Sequence, residues 1–214
     1  MIILRSGCWV RLEVENPGST RAVLDIVGPD DLLSGLHATS PVSPVWLGQG
    51  KCIGTVLKRG KILEIPLHSV REIVDKKPSL RDHIAHRHSV QLHTATWIHA
   101  ITHLAVETRV ALLLISLLYR YGEHKPGEGE AALAPPLSQP DIAGWIGIST
   151  ASVARVFKKW KDAGLIRISH STVTIADIRG LFTLAASDAP SEMVPAWGTH
   201  NPYEFPAKPA SRRR

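Results

Sequence analysis

The sequence predicts an α+β protein in three parts: an antiparallel β region, one long helix, and a C-terminal unit of short helices closed by a hairpin. Three observations carry this. Residues 2–66 alternate apolar and polar side chains between Gly and Pro turns, and no helix of any length fits before Leu67. Residues 80–103 contain neither proline nor glycine. Residues 137–175 give two short helical patterns meeting at Gly147, then a short alternating hairpin.

In the β region, Ile2 to Asp25 alternates on either side of Asn16, Pro17, Gly18 and Ser19, which predicts a β-hairpin. Further strands are predicted through Ile26 to Gly28, near Ile53 to Leu57, and at Ile62 to Pro66. Ser69 to Asp75 reads as a short helix, and Pro78 starts the long one with Ser79 in its first turn. Along it Ile84, Gln91, Ile98, Ile101 and Ala105 share a seam, as a parallel helix pair needs. The same helix carries His83, His86, His88, His93, His99 and His103. His99 and His103 stand one turn apart, as two metal ligands would, but no neighbouring cysteine or acid offers a third, so solvated or packed imidazoles are expected and no metal. Thr108 to Tyr121 is apolar on several sides yet too short for a membrane span, which predicts a buried helix ending at Gly122. Glu123 to Pro136 is a loop with a short strand at Ala131 to Ala134.

The most informative stretch is LSQPDIAGWIGISTASVARVFKKWKDAGLI, Leu137 to Ile166. Ser138 followed by Gln139, Pro140 and Asp141 supplies a hydroxyl cap, a first-turn proline and an acid three residues on, which together start a helix. Ala143 is small enough for a second helix to cross closely, Gly147 permits the positive φ of the turn, and Val153 and Val156 fill the angle between the helices. Ser149 caps the second helix and Gly164 terminates it. At 3.6 residues per turn Val153, Val156, Phe157 and Trp160 share one face, while Ala151, Ser152, Arg155, Lys158 and Lys159 share the opposite one. This is a helix-turn-helix. Its geometry places Thr150, Ala151, Ser152 and Arg155 toward base edges, with Arg155 matched to the two major-groove acceptors of guanine. Lys158 and Lys159 are expected at phosphates, and Gln139 and Ser149 at the edge of the same surface. An ordinary helical hairpin with a solvated lysine face is the bland alternative; the joint occurrence of cap, small residue, turn glycine and paired valines speaks against it. Leu165 to Ile175 forms a hairpin with Ser169, His170 and Ser171 at its tip, and Ile178 to Ala186 a closing helix.

This segment resembles the DNA-binding helix-turn-helix of the Crp/Fnr family of bacterial transcription regulators, followed by a wing at Arg167 to Ile175. The resemblance covers roughly residues 5 to 185. It implies a partial cyclic-nucleotide-binding-like β-roll of cupin or jelly-roll type at 1–77, a dimerisation helix at 78–106 and a winged helix-turn-helix at 107–186. It also implies double-stranded DNA and a second copy of the chain as partners, with RNA polymerase a further candidate. SGCWVRLEVENPGSTRAVLDIVGPDDLL is similar to the middle of the roll, so the chain opens at about its third strand. Either Met1 is not the native start or an apolar strand edge stays open. The phosphate-binding cassette departs from the pattern: Ser34, Gly35 and Leu36 stand where cyclic-nucleotide binders have Gly-Glu-Leu, and Gly50, Lys51 and Cys52 where they have Arg-Ser-Ala. Neither the acid for ribose nor the arginine for phosphate is present. The effector is therefore unassigned, cyclic AMP is disfavoured, and a scaffold role for this pocket is favoured over anion binding by Lys51. Thr150 and Ala151 replace the Arg-Glu pair of the cyclic-AMP receptor type, so the base preference is expected to differ.

Composition narrows the function classes. A net charge of +6 favours a polyanionic partner. Two cysteines, Cys8 and Cys52, make an iron-sulfur cluster improbable, since one needs about four ligands, and reduced thiols in a soluble cytoplasmic protein are expected. No nucleophile elbow, phosphate loop or paired acid supports an enzyme, and no cofactor is implied. A winged-helix protein-interaction module without specific DNA binding is the alternative, opposed by the basic outward face. Ser187 to Arg214, with five prolines and three terminal arginines, reads as a disordered tail.

Overall fold

The computed structural model describes residues 2–4, 7–15, 22–29, 31–34, 51–123, 129–169 and 172–189. Two three-stranded antiparallel sheets form the N-terminal part. One has the order β4-β1-β6, from β1 (Ile2–Leu4), β4 (Leu32–Ser34) and β6 (Ile62–Glu64); the other has the order β3-β2-β5, from β2 (Trp9–Glu15), β3 (Ala22–Val27) and β5 (Lys51–Lys58). The strands flanking residues 16–19 pair as expected, Val10 opposite Val27 and Val14 opposite Ala22. The first apolar residues do not extend that hairpin. Gly7, at φ +78°, turns the chain between β1 and β2, and β1 pairs with β6 instead.

Helix α1 (Leu67–Lys76) is followed by α2 (Pro78–Ala100), a 3₁₀ turn (Ile101–His103) and α3 (Val106–Tyr121). The expected long helix thus ends at Ala100, short of 106. Its expected seam is also corrected: Ile84 is buried against Leu32, Val70 and Val74, and Ile98 and Ile101 are buried in the main core of this same chain. Ala105 is exposed beyond the helix, and the Gln91 side chain lies outside the described residues. Apolar periodicity marks a face that must be covered, and here the chain covers most of it itself.

Strands β7 (Gly122–Glu123) and β8 (Ala131–Leu133), helices α4 (Gln139–Ile146) and α5 (Thr150–Asp162), strands β9 (Ile166–Ser169) and β10 (Thr172–Ile175) and helix α6 (Ile178–Ala186) complete the described elements, the last sheet having the order β7-β8-β10-β9. Around α3, Leu112, Leu113, Leu114 and Leu117 are fully buried together with Trp160, Ile142 and Leu181. The folded unit also runs past Ala186, where a tail was expected to begin: Asp188 accepts the Ala105 backbone N–H at 2.8 Å, and Ala189 is buried. Residues 190–214 lie outside the described part.

The β region shares its core with the C-terminal unit. Trp9, Val23 and Ile26 join the cluster built on α3 and α4, and the Trp9 ring meets Tyr121 edge-on with centroids 4.9 Å apart. Gly28 makes this possible, because a Cβ there would stand 2.4 Å from the Trp9 ring. At the same joint Arg120, with 4% of its side chain exposed, donates to both carboxylate oxygens of Asp25 at 2.7 and 3.2 Å. The Tyr121 hydroxyl donates toward Asp31 and lies 3.0 Å from the Ile26 carbonyl, while Arg87 of α2 reaches the same Asp31 at 3.3 Å. Burial opposes the charge on Arg120, but the fields of Asp25 and Asp31 and the hydrogen bonds to Asp25 outweigh it and hold the guanidinium protonated beyond its ordinary range. Burial likewise pushes the Tyr121 phenol well up, so it remains a neutral donor.

Removing one partner of such a buried set strands the others. Arg120→Met is expected to cost about 3 to 5 kcal/mol in urea-induced unfolding, because Asp25 would be left buried without its cation while Asp31 kept only Arg87. A loss below about 1 kcal/mol would show that the carboxylates do not depend on Arg120.

Candidate nucleic-acid interface

The local sequence builds this surface from caps and a turn. Ser138 Oγ accepts the Asp141 N–H at 3.3 Å while Asp141 Oδ2 accepts the Ser138 N–H at 2.9 Å, closing the capping box at the start of α4. Gly147 sits at φ +64°, ψ 46°, the left-handed conformation the turn requires. Ser149 Oγ accepts the Ser152 N–H at 3.1 Å and starts α5. At the far end Gly164, at φ +73°, donates to Lys161 and Leu165 donates to Trp160 at 2.8 Å, a Schellman ending. Both helix ends are therefore satisfied by the residues that predicted them.

Packing then fixes how α5 is presented. Val153, Val156, Phe157 and Trp160 are buried, with Phe157 and Trp160 stacked at 6.3 Å, while Ser149, Thr150, Ala151, Arg155, Lys158 and Lys159 are exposed and Ser152 is half-buried. The Arg155 guanidinium donates to Ser152 Oγ at 3.2 Å, and that oxygen lies 2.9 Å from Ser149 Oγ. This chain of hydroxyls draws the arginine along the N-terminal half of the exposed face, where no acid neutralises it among the described contacts. Gln139 is half-buried. It lines a depression of about 300 Å³ with Lys158, Lys161, Asp162 and Ile168, between the two helices and the hairpin. Strands β9 and β10 pair from Ile166–Ile175 to Ser169–Thr172, as a wing should. His170 and Ser171 at its tip lie outside the described residues.

Lys159 differs from the sequence expectation of a phosphate contact. Its ammonium lies 2.7 Å from Glu107 Oε2, and Glu107 Oε1 accepts the Trp160 indole N–H, also at 2.7 Å. Sequence reading missed this acid, as it missed two other residues that position the helix pair. Arg11 of β2 donates to Asp141, the carboxylate that already caps α4, and also to Glu13 at 3.2 Å. Arg109 donates to the Ile146 carbonyl at the end of α4. All three act across long sequence separations, where no local pattern signals them. Lys161, which lines the depression, was visible as a charge but not as part of the surface.

The side chains of the expected effector cassette lie outside the described residues, which give only part of its backbone. Ser34 ends β4 opposite Ile2, and Lys51 and Cys52 open β5 opposite Glu15 and Val14; their side chains, and Gly35, Leu36 and Gly50 altogether, lie outside the described part. A cleft of about 530 Å³ lies elsewhere, between β3, the end of α2 and the turn after α4, lined by Val23, Leu24, His99, Arg109, Trp145 and Gly147 among others. Cys8 is a buried free thiol. Among the described residues no three His, Cys, Asp or Glu side chains gather as a metal site, and no helix is long and apolar enough to cross a membrane.

Residues 108–184 match the family model of the Crp-like helix-turn-helix domain. Among curated proteins, the chain is 24% identical over 166 residues to the transcriptional regulatory protein btr of Bordetella pertussis, covering 77% of this chain and 62% of that one. It is 23% identical over 133 residues to the anaerobic regulatory protein of Haemophilus influenzae, covering 62% of this chain and 51% of that one. The chain thus spans about half to three fifths of the length of these relatives. Among solved structures, FixK2 from Bradyrhizobium japonicum superposes with a TM-score of 0.69 at 16% identity, covering 88% of both chains. A CRP-family regulator from Thermus thermophilus gives 0.62 at 18% identity, covering 87% of both.

The two exposed cations nearest the groove-facing end are expected to differ in kind. Arg155→Ala should cost about 1 to 3 kcal/mol on the preferred duplex and relax the choice at one base pair, whereas Lys158→Ala should weaken all duplexes alike and flatten the salt dependence. A competition assay over operator variants checks this; an unchanged ranking with Arg155→Ala would remove its base-reading role.

Proposed function

We propose that this chain, which belongs to the Crp/Fnr family, is a transcription regulator that reads a pseudo-palindromic DNA site as a homodimer. The carrying observation is the presentation of α5. Four buried apolar residues lock one face, and Arg155 is braced by Ser152 on the other, beside small side chains that leave the backbone free to approach base edges. The charge is graded along the helix, from Arg155 toward bases to Lys158 and Lys161 toward phosphates, with the wing beside them. We propose for it a regulatory role without enzymatic activity and a cytoplasmic place.

Dimerisation is proposed through α2, on the side away from Ile84, Ile98 and Ile101, since those three are covered within the chain. The roll then acts as the sensing part, coupled to the reading part through the shared core and the Arg120 junction. RNA polymerase is a further proposed partner.

Anisotropy titration of a selected duplex is expected to give two chains per site, with half-sites about one helical turn, roughly 34 Å, apart, and a large loss of affinity when about five base pairs are inserted between them. Equal affinity for a single half-site would overturn the dimer. Binding to every duplex alike would favour the interaction-module alternative.

The signal is proposed to be something other than cyclic AMP. A desolvated cyclic phosphate needs a cation or several donors, and Gly50 and Gly35 stand where the arginine and the acid would be. Calorimetric titration with cyclic AMP and cyclic GMP is expected to show no micromolar binding. Such binding, abolished by Lys51→Ala, would show that Lys51 forms a substitute site.

A further inference from the structure

We propose that Glu107 is a positioning residue for DNA recognition: it clamps the C-terminal half of α5 through Trp160 and withholds Lys159 from the phosphate backbone. This rests on the DNA-binding reading above and adds to it a residue outside the helix-turn-helix.

Four facts of geometry support it. Glu107 lies in the first turn of α3, where the helix end favours a negative charge, and only about a quarter of its side chain is exposed. Its two oxygens are spent on different partners of the same helix, Oε2 on Lys159 and Oε1 on the Trp160 indole, each at 2.7 Å. Trp160 is fully buried, so its N–H needs an acceptor, and Glu107 supplies it. Lys159, in contrast, is largely exposed and stands one turn beyond Arg155 on the same side of α5. Released from Glu107, its flexible stem is long enough to reach the DNA backbone, the role proposed above for Lys158.

The electrostatics agree. Burial alone would raise the Glu107 pKa, but hydrogen bonds from Lys159 and Trp160 and the lysine charge outweigh it and hold the carboxyl below its ordinary value. It is therefore ionised wherever the protein binds DNA near neutral pH. An ionised acid beside Lys159 cancels the charge that a phosphate would otherwise see. The three residues thus trade one non-specific contact for a fixed pose of the helix that carries Arg155.

A double-substitution cycle on the full chain tests this by its salt dependence, a quantity that a purely structural role leaves unmoved. Glu107→Gln keeps an acceptor for Trp160 and removes the charge from Lys159. On a random-sequence duplex it is expected to tighten binding several-fold at low salt and to steepen the slope of log K against log[salt] by about 0.9 per chain, the signature of one added phosphate contact. Lys159→Gln in the parent chain is expected to leave that slope unchanged, and the double variant to return to it. Glu107→Ala, which also abandons the indole, is expected to narrow the affinity ratio between preferred and random duplex, and Glu107→Gln to preserve it. A flattened slope for Lys159→Gln alone, or an unaltered slope for Glu107→Gln, would overturn the proposal while leaving DNA binding intact. Failure of the parent chain to bind any duplex would overturn both.

Discussion

The structure depends on one buried cation. Arg120 leaves the end of α3 and enters the β region, where Asp25 and Asp31 hold it and Tyr121 fills the remaining space. Without that pairing the Asp25 carboxylate would lie uncompensated in an apolar joint and Asp31 would keep only Arg87, a loss of about 3 to 5 kcal/mol. With it, the β sheet and the DNA-binding unit share a core, and the position of α3 is set with respect to both.

Everything at the proposed interface is hung from α3. Its first turn offers Glu107 to α5, its next offers Arg109 to the end of α4, and its last residues carry the ionic junction. Arg11 adds a second tie from the β sheet directly to the cap of α4. Asp141 therefore serves two elements: it starts the first helix of the pair and receives a cation from the β region. A change in the roll that moved β2 would act on the helix that supports the reading helix, which is the kind of two-state element that coupling between domains requires.

Local chemistry made much of this legible in the sequence. Ser138, Asp141, Gly147, Ser149 and Gly164 each perform the role their residue type implies, because caps and left-handed turns are settled within a few residues. The buried face of α5 followed from its period, and the closing helix at Ile178–Ala186 from its apolar spacing. What a face packs against was not legible. Ile84, Ile98 and Ile101 gave a seam that suits a partner chain, and the chain itself fills most of it. The clamp on Lys159 joins residues 52 positions apart, and the Arg120 pairing residues 95 apart, distances at which charge and period carry no information about contact.

Photocrosslinking from position 151 measures the central claim most directly, since Ala151 is exposed at the leading end of α5. With a benzophenone side chain there, the bound complex is expected to yield crosslinks to bases in two major-groove segments about one helical turn apart. Crosslinks confined to the sugar-phosphate backbone at no fixed sequence, or none where binding is saturated, would contradict the placement of this helix in the groove.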